Sequence, residues 1–437
     1  MGRFSLTLML VLLPYLMSAQ DDCVGRLQTH VKTLSDPKMK GRGAGTDGER
    51  MAAEYMYDYL YDNGVTMLSG RECQIFSING QKDTVVSRNV VGIVEGYDPA
   101  YRGEYIVVGA NLDHLGANKI TVNGKEGIQI YPGANDNASG LACVMELARK
   151  IAATNFLFKR SVVFAGFGAK ERGMAGSWYM INKGFIGADS VSLMVDMSRL
   201  GHSGPSFPFR YFTCIPNPEI AYTVGVVGRN MSLNPPTPGT GQTYPSDYLA
   251  FYELGIPVTI FTSGSENEFR SSYDVAESLD YDQMEFAVEF VFNFLREIAN
   301  ADKKVARVSL PKNDTDDPSD RVYSVYEVEK APQFYHGDEK QFLKQWVYTY
   351  VKYPQSAMEL GIQGRVIVDF IVEKDGSVSN VRVNKGVDDE LDAEAVKVVA
   401  ASPKWQAGVL GGQKVRVKYS IPIEFKLRKD AKYGLRL

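Results

Sequence analysis

Between residues 87 and 261, apolar runs of strand length alternate with stretches of helical periodicity, and most runs end in a polar or glycine-rich turn. The runs fall at 90–94, 105–109, 161–166, 192–195 and 257–261, with helical spacing at 140–153, 175–183 and 247–254. Such runs read as strands buried on both faces, and parallel neighbours need crossover helices between them. The pattern predicts an α/β domain: a mixed, largely parallel sheet with helices on both faces. Sites on such sheets lie beyond the C-terminal ends of the strands. Upstream, residues 24–63 read as helical, broken at Gly41-Arg42-Gly43-Ala44-Gly45.

Residues 1–20 read as a signal peptide: Arg3, an apolar stretch over 6–17, and a small residue at Ala19. The stretch is shorter than the ~20 residues a membrane span requires, and Pro14 interrupts it. Export to the periplasm or beyond is expected, with no membrane span. That compartment permits disulfides, and a Cys23–Cys73 bridge is one option. The α/β domain is placed at 21–302. The charged, aperiodic segment 303–325 reads as a linker. A smaller unit follows at 326–428, with a helix at 338–350, a strand at 365–372, a turn centred on Asp375-Gly376, a strand at 378–383, a helix at 392–401 and a long alternating strand at 414–425. This is a small α+β domain. With 48 Lys plus Arg against 52 Asp plus Glu, no nucleic-acid partner is expected.

Five segments of the first domain carry the polar residues: 109–116, 131–140, 168–177, 194–197 and 268–274. They would gather Asp113, Asp136, Glu171 and Asp196 in one cleft. Carboxylates crowded in this way need cations to balance them.

The order and spacing of these segments, with Pro132-Gly133-Ala134-Asn135-Asp136-Asn137-Ala138-Ser139-Gly140, Ser246-Asp247 and Gly255-Ile256-Pro257, resemble peptidase family M28, the di-zinc aminopeptidases, over residues 30–297. The resemblance implies a zinc aminopeptidase-like fold. It implies a bridging aspartate at Asp136, metal ligands at Asp196 and Glu171, and an orienting aspartate at Asp113. Asn135, Asp247 and His114 complete the candidate set as binding residues.

Three positions depart from the family. The first ligand histidine is replaced by Asn111, the general base by Lys170 and the last ligand histidine by Arg270. A neutral amide oxygen is a poor zinc donor. Arginine has no lone pair to give. A lysine beside carboxylates stays protonated and is the wrong base. Lys170 is therefore not expected to function at the general-base position. Together, Lys170 and Arg270 read as built-in counter-ions for Asp136, Glu171 and Asp196, and no cofactor is expected. Zinc is the alternative, either as an atypical centre or as a single ion on Asp136, Asp196 and His114 or His202. A hard cation on the carboxylates is a further option.

Lys352-Tyr353-Pro354, Gly361-Ile362-Gln363-Gly364-Arg365-Val366, Lys374-Asp375-Gly376, Leu391-Asp392-Ala393-Glu394-Ala395 and Pro403-Lys404-Trp405 resemble the C-terminal domain of TonB, the periplasmic energy transducer. The resemblance implies a TonB C-terminal-like α+β fold that recognises extended peptides by strand addition. The expected protein is an exported, catalytically inactive peptidase-like protein. Its partner is a peptide or protein ligand, with an outer-membrane transporter or other envelope protein binding through 326–428. The alternatives are an active zinc aminopeptidase with atypical ligands and an adaptor in TonB-linked transport.

Overall fold

In the computed structural model, Tyr105–Asn111 lies inside a mixed sheet, parallel to Ser161–Phe167 on one side and to Val191–Met197 on the other. The structure describes residues 22–427 except 72, 80–83, 185, 232–234, 240–244, 265–269, 308–321, 326–327 and 336. The signal segment 1–20, most of the linker, and Glu268 and Phe269 lie outside the described residues.

Among the described residues the first sheet has nine strands. Val258–Thr262 continues the parallel run beside Val191–Met197. Thr84–Val94 pairs antiparallel with Ser161–Phe167, and Arg210–Phe212 antiparallel with Val258–Thr262. The expected mixed sheet is present, with a parallel centre and antiparallel pairings towards both sides.

Alternating side chains of the same strands feed two different cores, as the pleat requires. Ile106, Val108, Val162 and Phe164 pack with helices Cys23–Leu34, Gly140–Ala153 and Tyr281–Asn300. Val107, Val163 and Met194 pack with helices Ala175–Lys183 and Tyr248–Tyr252. This two-sided burial accounts for the continuous apolar runs in the sequence. Cys23 is buried and Cys73 half-buried, and no disulfide joins the two, so the bridge that export would permit is not formed.

The second domain has its own core, with Phe334, Phe342, Phe370, Trp405 and Tyr419 in mutual ring contact. Its sheet runs Val322–Ser324, Gln413–Phe425, Gly364–Val372, Val378–Lys385, with Gly408–Leu410 also pairing to Gln413–Phe425. Residues 322–324, read from sequence as linker, therefore form an edge strand of this sheet. Gly376 turns the central hairpin at φ +86°, where an added Cβ would lie 1.9 Å from the Trp405 carbonyl oxygen. Only glycine fits there.

Candidate functional site

The polar segments lie where the parallel strands end. Tyr105–Asn111 ends on Asn111, Ser161–Phe167 leads into the turn Lys170–Arg172, and Asp196 lies near the end of Val191–Met197. Asp136 sits in the irregular turn Ala134–Ser139. Asp274 holds that turn: its carboxylate accepts the backbone N–H of Asn135 at 2.7 Å and of Asp136 at 2.9 Å. Arg42, from the glycine break, is buried and donates to the carbonyls of Leu34, Leu112, Pro132 and Gly133. Four carbonyl acceptors satisfy a guanidinium that burial has removed from water. They tie the N-terminal segment to both site turns.

Lys170 Nζ lies 3.3 Å from Glu171 Oε1 and 3.8 Å from Asp136 Oδ1. Arg270 Nη2 lies 2.5 Å from Glu171 Oε2. Glu171 thus has one cation at each carboxylate oxygen. Burial pushes the Glu171 carboxyl up, but Arg270 and Lys170 overcome it and hold the group well below the usual carboxylate range. At Asp136, burial is likewise outweighed, chiefly by Lys170, and the pKa falls below its ordinary value.

Asp196 is not ion-paired in the same way. Burial pushes it up to about 6, while hydrogen bonds from the Ser246 side chain and the Tyr248 backbone work to lower it. Asp247 is buried and pushed up to about 7 by burial, with Ser177 opposing. Asp113, expected to orient the residue at position 111, instead turns to the next loop. Its oxygens accept the N–H groups of Lys170 at 2.8 Å and Glu171 at 3.0 Å, which fixes the turn that carries both. Asn111 donates from Nδ2 to the Asp113 carbonyl at 2.7 Å, and its Oδ1 accepts from Asn137 Nδ2 at 3.0 Å.

Asn135 Oδ1 accepts the Gly201 N–H at 2.8 Å. His114 is buried against Gly133, and among the described residues neither ring nitrogen has a hydrogen-bond partner. Burial pushes its pKa down to about 3, so it is neutral. His202 packs instead against the Phe207 ring.

As built, these residues do not fit a pair of zinc ions. Both oxygens of Glu171 face cations, and the Asn111 amide oxygen is committed to Asn137. Lys170 lies between two of the carboxylates that a metal would bridge. Among the described residues, no three or more His, Cys, Asp and Glu side chains are grouped to hold a metal ion.

Three groups at the site carry no distinguishing signal in sequence. Asp274 and Arg42 act on backbone atoms far away in the chain, and no local spacing marks such a contact. Asn384 comes from the C-terminal domain, and its carbonyl accepts from Arg270 Nε at 2.8 Å. Arg42 lies in the glycine break and Asp274 in the polar segment 268–274, so of the three only Asn384 falls outside the segments that stand out.

A mixed sheet with helices on both faces, whose acidic residues gather at the strand ends, is followed by a separate α+β domain with its own core. Residues 89–295 match Peptidase family M28, and residues 349–427 match the Gram-negative bacterial TonB protein C-terminal family. The chain therefore joins an M28 peptidase domain to a TonB C-terminal domain.

Leupeptin-inactivating enzyme 1 of Streptomyces exfoliatus is 24% identical over 242 residues, 54% of this chain and 48% of that protein. Protein TonB of Xanthomonas campestris pv. campestris (strain B100) is 37% identical over 79 residues, 17% of this chain and 34% of that protein. The chain thus spans about half the length of the first relative and about a third of the second. Among solved structures, the aminopeptidase from Aneurinibacillus sp. strain AM-1 superposes with a TM-score of 0.51 at 14% identity, covering 66% of this chain and 96% of that one. LapA of Legionella pneumophila superposes at 0.50 and 19% identity, covering 64% and 73%. These likenesses establish the fold of the first domain.

Proposed function

We propose that the chain is an exported envelope protein in which the M28 domain has lost turnover and the TonB C-terminal domain binds a peptide or protein partner. One observation carries the loss of turnover: Lys170 and Arg270 sit at the two oxygens of Glu171. A protonated amine at the general-base position cannot accept a proton from water. A guanidinium at the last ligand position cannot bind a metal.

The purified mature protein is expected to show no hydrolysis of aminoacyl anilides and less than one zinc ion per chain. Stoichiometric zinc with turnover would overturn the reading and establish an active peptidase with atypical ligands. A second reading, an adaptor in TonB-linked transport, is favoured by the match over 349–427. Under it, the full chain should retain outer-membrane transporters from envelope extract, and retention should fail when 349–427 is deleted. Among the described residues no helix is long and apolar enough to cross a membrane.

A further inference from the structure

The end of strand Val378–Lys385 and the turn after it lie against the site of the first domain. Arg270 holds Glu171 with Nη2 and donates to the Asn384 carbonyl with Nε at 2.8 Å. Asn384 in turn donates from Nδ2 to both carboxylate oxygens of the buried Asp369, at 3.1 Å each. A continuous polar chain therefore runs from Asp136 through Lys170, Glu171, Arg270 and Asn384 to Asp369, crossing from one domain into the other.

The next residues extend the contact. Lys385 Nζ donates to the carbonyls of Leu115 and Ala117, at 3.1 Å each, and lies 5.3 Å from the centre of the Tyr131 ring. The Tyr131 hydroxyl donates to the Gly386 carbonyl, and Gln129 Nε2 donates to the Val387 carbonyl at 3.3 Å. Beside them, the hairpin Ala117–Val122 and Lys125–Ile130 exchanges backbone hydrogen bonds with the second domain. Thr121 N–H donates to the Gln363 carbonyl at 2.9 Å, Gln363 N–H returns to the Thr121 carbonyl at 2.6 Å, and Asn123 N–H donates to the Gly361 carbonyl at 3.1 Å.

We propose that the cleft of the M28 domain is the docking site of the chain's own C-terminal domain, with segment 384–387 as its occupant and Arg270 as the clamp between the two. Three features support this. The clamp uses the same guanidinium that pairs with Glu171, so the residue that displaces a metal ligand also makes the interdomain bond. The ammonium of Lys385 meets carbonyl oxygens with matched charge. The hairpin contributes directional backbone pairing, which fixes register as well as proximity. A ligand reaching Glu171 or Asp136 from this side would have to displace segment 384–387. Docking does not depend on whether the cleft turns over substrate.

Hydrogen exchange of the full-length mature protein reads the docking through amides that bond across the boundary. The amides of Thr121, Asn123 and Gln363 are expected to exchange at least about tenfold more slowly than unprotected amides. Lys385→Glu puts a carboxylate against the Leu115 and Ala117 carbonyls. It should speed these three amides about tenfold while leaving strands Ser161–Phe167 and Gly364–Val372 unchanged. If that variant loosens both cores, Tyr131→Phe decides instead, because it removes only the hydroxyl donated to Gly386. A local gain in exchange supports docking, and no change overturns it. Unprotected amides at 121, 123 and 363 in the wild type would also overturn it. Hydrolysis is measured separately, so failure of the inactive-peptidase reading would leave a distinct signature.

Discussion

At Glu171 two cations share one carboxylate, and the energetics of the site follow from that arrangement. The side chains of Arg270 and Glu171 are 16% and 15% exposed, so both ions are largely out of water. Removing one partner of such a pair leaves a charge without compensation, a loss of about 3–5 kcal/mol. Arg270→Met is therefore expected to lower unfolding stability by about 3 kcal/mol in urea titration, the low end because Lys170 remains. A change within about 0.5 kcal/mol, the range of an ordinary surface substitution, would show that the pair does not hold the site.

The same pair sets a pH dependence. Glu171 has an ordinary value of 4.5 and a depressed one in the folded protein. Its stabilisation is full above pH 4.5 and is lost as pH falls through the folded value. Asp247 works in the opposite sense: its ordinary value of 3.8 rises to about 7. The unfolded chain binds fewer protons between these values, so stability falls as pH rises through that window. Melting curves at stepped pH should show a smaller acid-side decline in Glu171→Gln and a smaller decline between pH 4 and 7 in Asp247→Asn, the remainder coming from groups such as Asp136 and Asp196 that titrate in the same windows. Unchanged limbs in both variants would refute the assignment.

Among the elements, the triple reversion Asn111→His, Lys170→Glu and Arg270→His tests whether the strand ends still frame a metal site. The backbone supports are intact: Asp113 holds the 170–171 turn and Asp274 holds the 135–136 turn. The reverted protein gains two histidines and a carboxylate with no cation to balance them. Without metal it should be less stable than wild type. Zinc at 100 times its dissociation constant should restore about 2.7 kcal/mol, read as a rise in melting temperature that wild type does not show. No zinc-dependent rise would mean that the loops have moved out of metal geometry.

Much of this layer was legible in the sequence. Helices Gly140–Ala153 and Ala175–Lys183 fall where their periodicity placed them, because amphipathic spacing is a local signal. Residues 117–130 form a hairpin. Asn123 and Gly124, at φ 51° and 74°, form the tight turn that their dipeptide encodes. The helix Tyr281–Asn300, capped by Asp280, carries an equally readable apolar stripe. The ion pairs to Glu171 and Asp136 follow from residue type and family spacing, whereas Asp196, expected to share the same counter-ions, is held by hydrogen bonds from Ser246 and Tyr248 instead. The contacts of Arg42, Asp274 and Asn384 do not follow in this way, because each depends on chain segments brought together only by the tertiary fold.

At the scale of the whole molecule, two hydrophobic systems exist side by side. The cores of the first domain flank its sheet, whereas that of the second is built around Phe342, Phe370 and Trp405. Domains with separate cores and a polar seam are expected to unfold separately. Among the described residues the seam carries hydrogen bonds, a short backbone bridge and the Lys385 contact with the Tyr131 ring, and the buried apolar clusters of the two domains stay separate. Calorimetry of the full chain should therefore show two transitions. Whichever domain melts first leaves the docked state, so its transition alone includes the free energy of the seam. The second domain then melts already undocked. Lys385→Glu should accordingly lower the first transition and leave the second in place. If the smaller domain melts first, a seam of about 1 kcal/mol shifts its transition by roughly 4–8 °C. A single cooperative transition, or a shift of the upper one alone, would contradict a polar seam between independently stable domains.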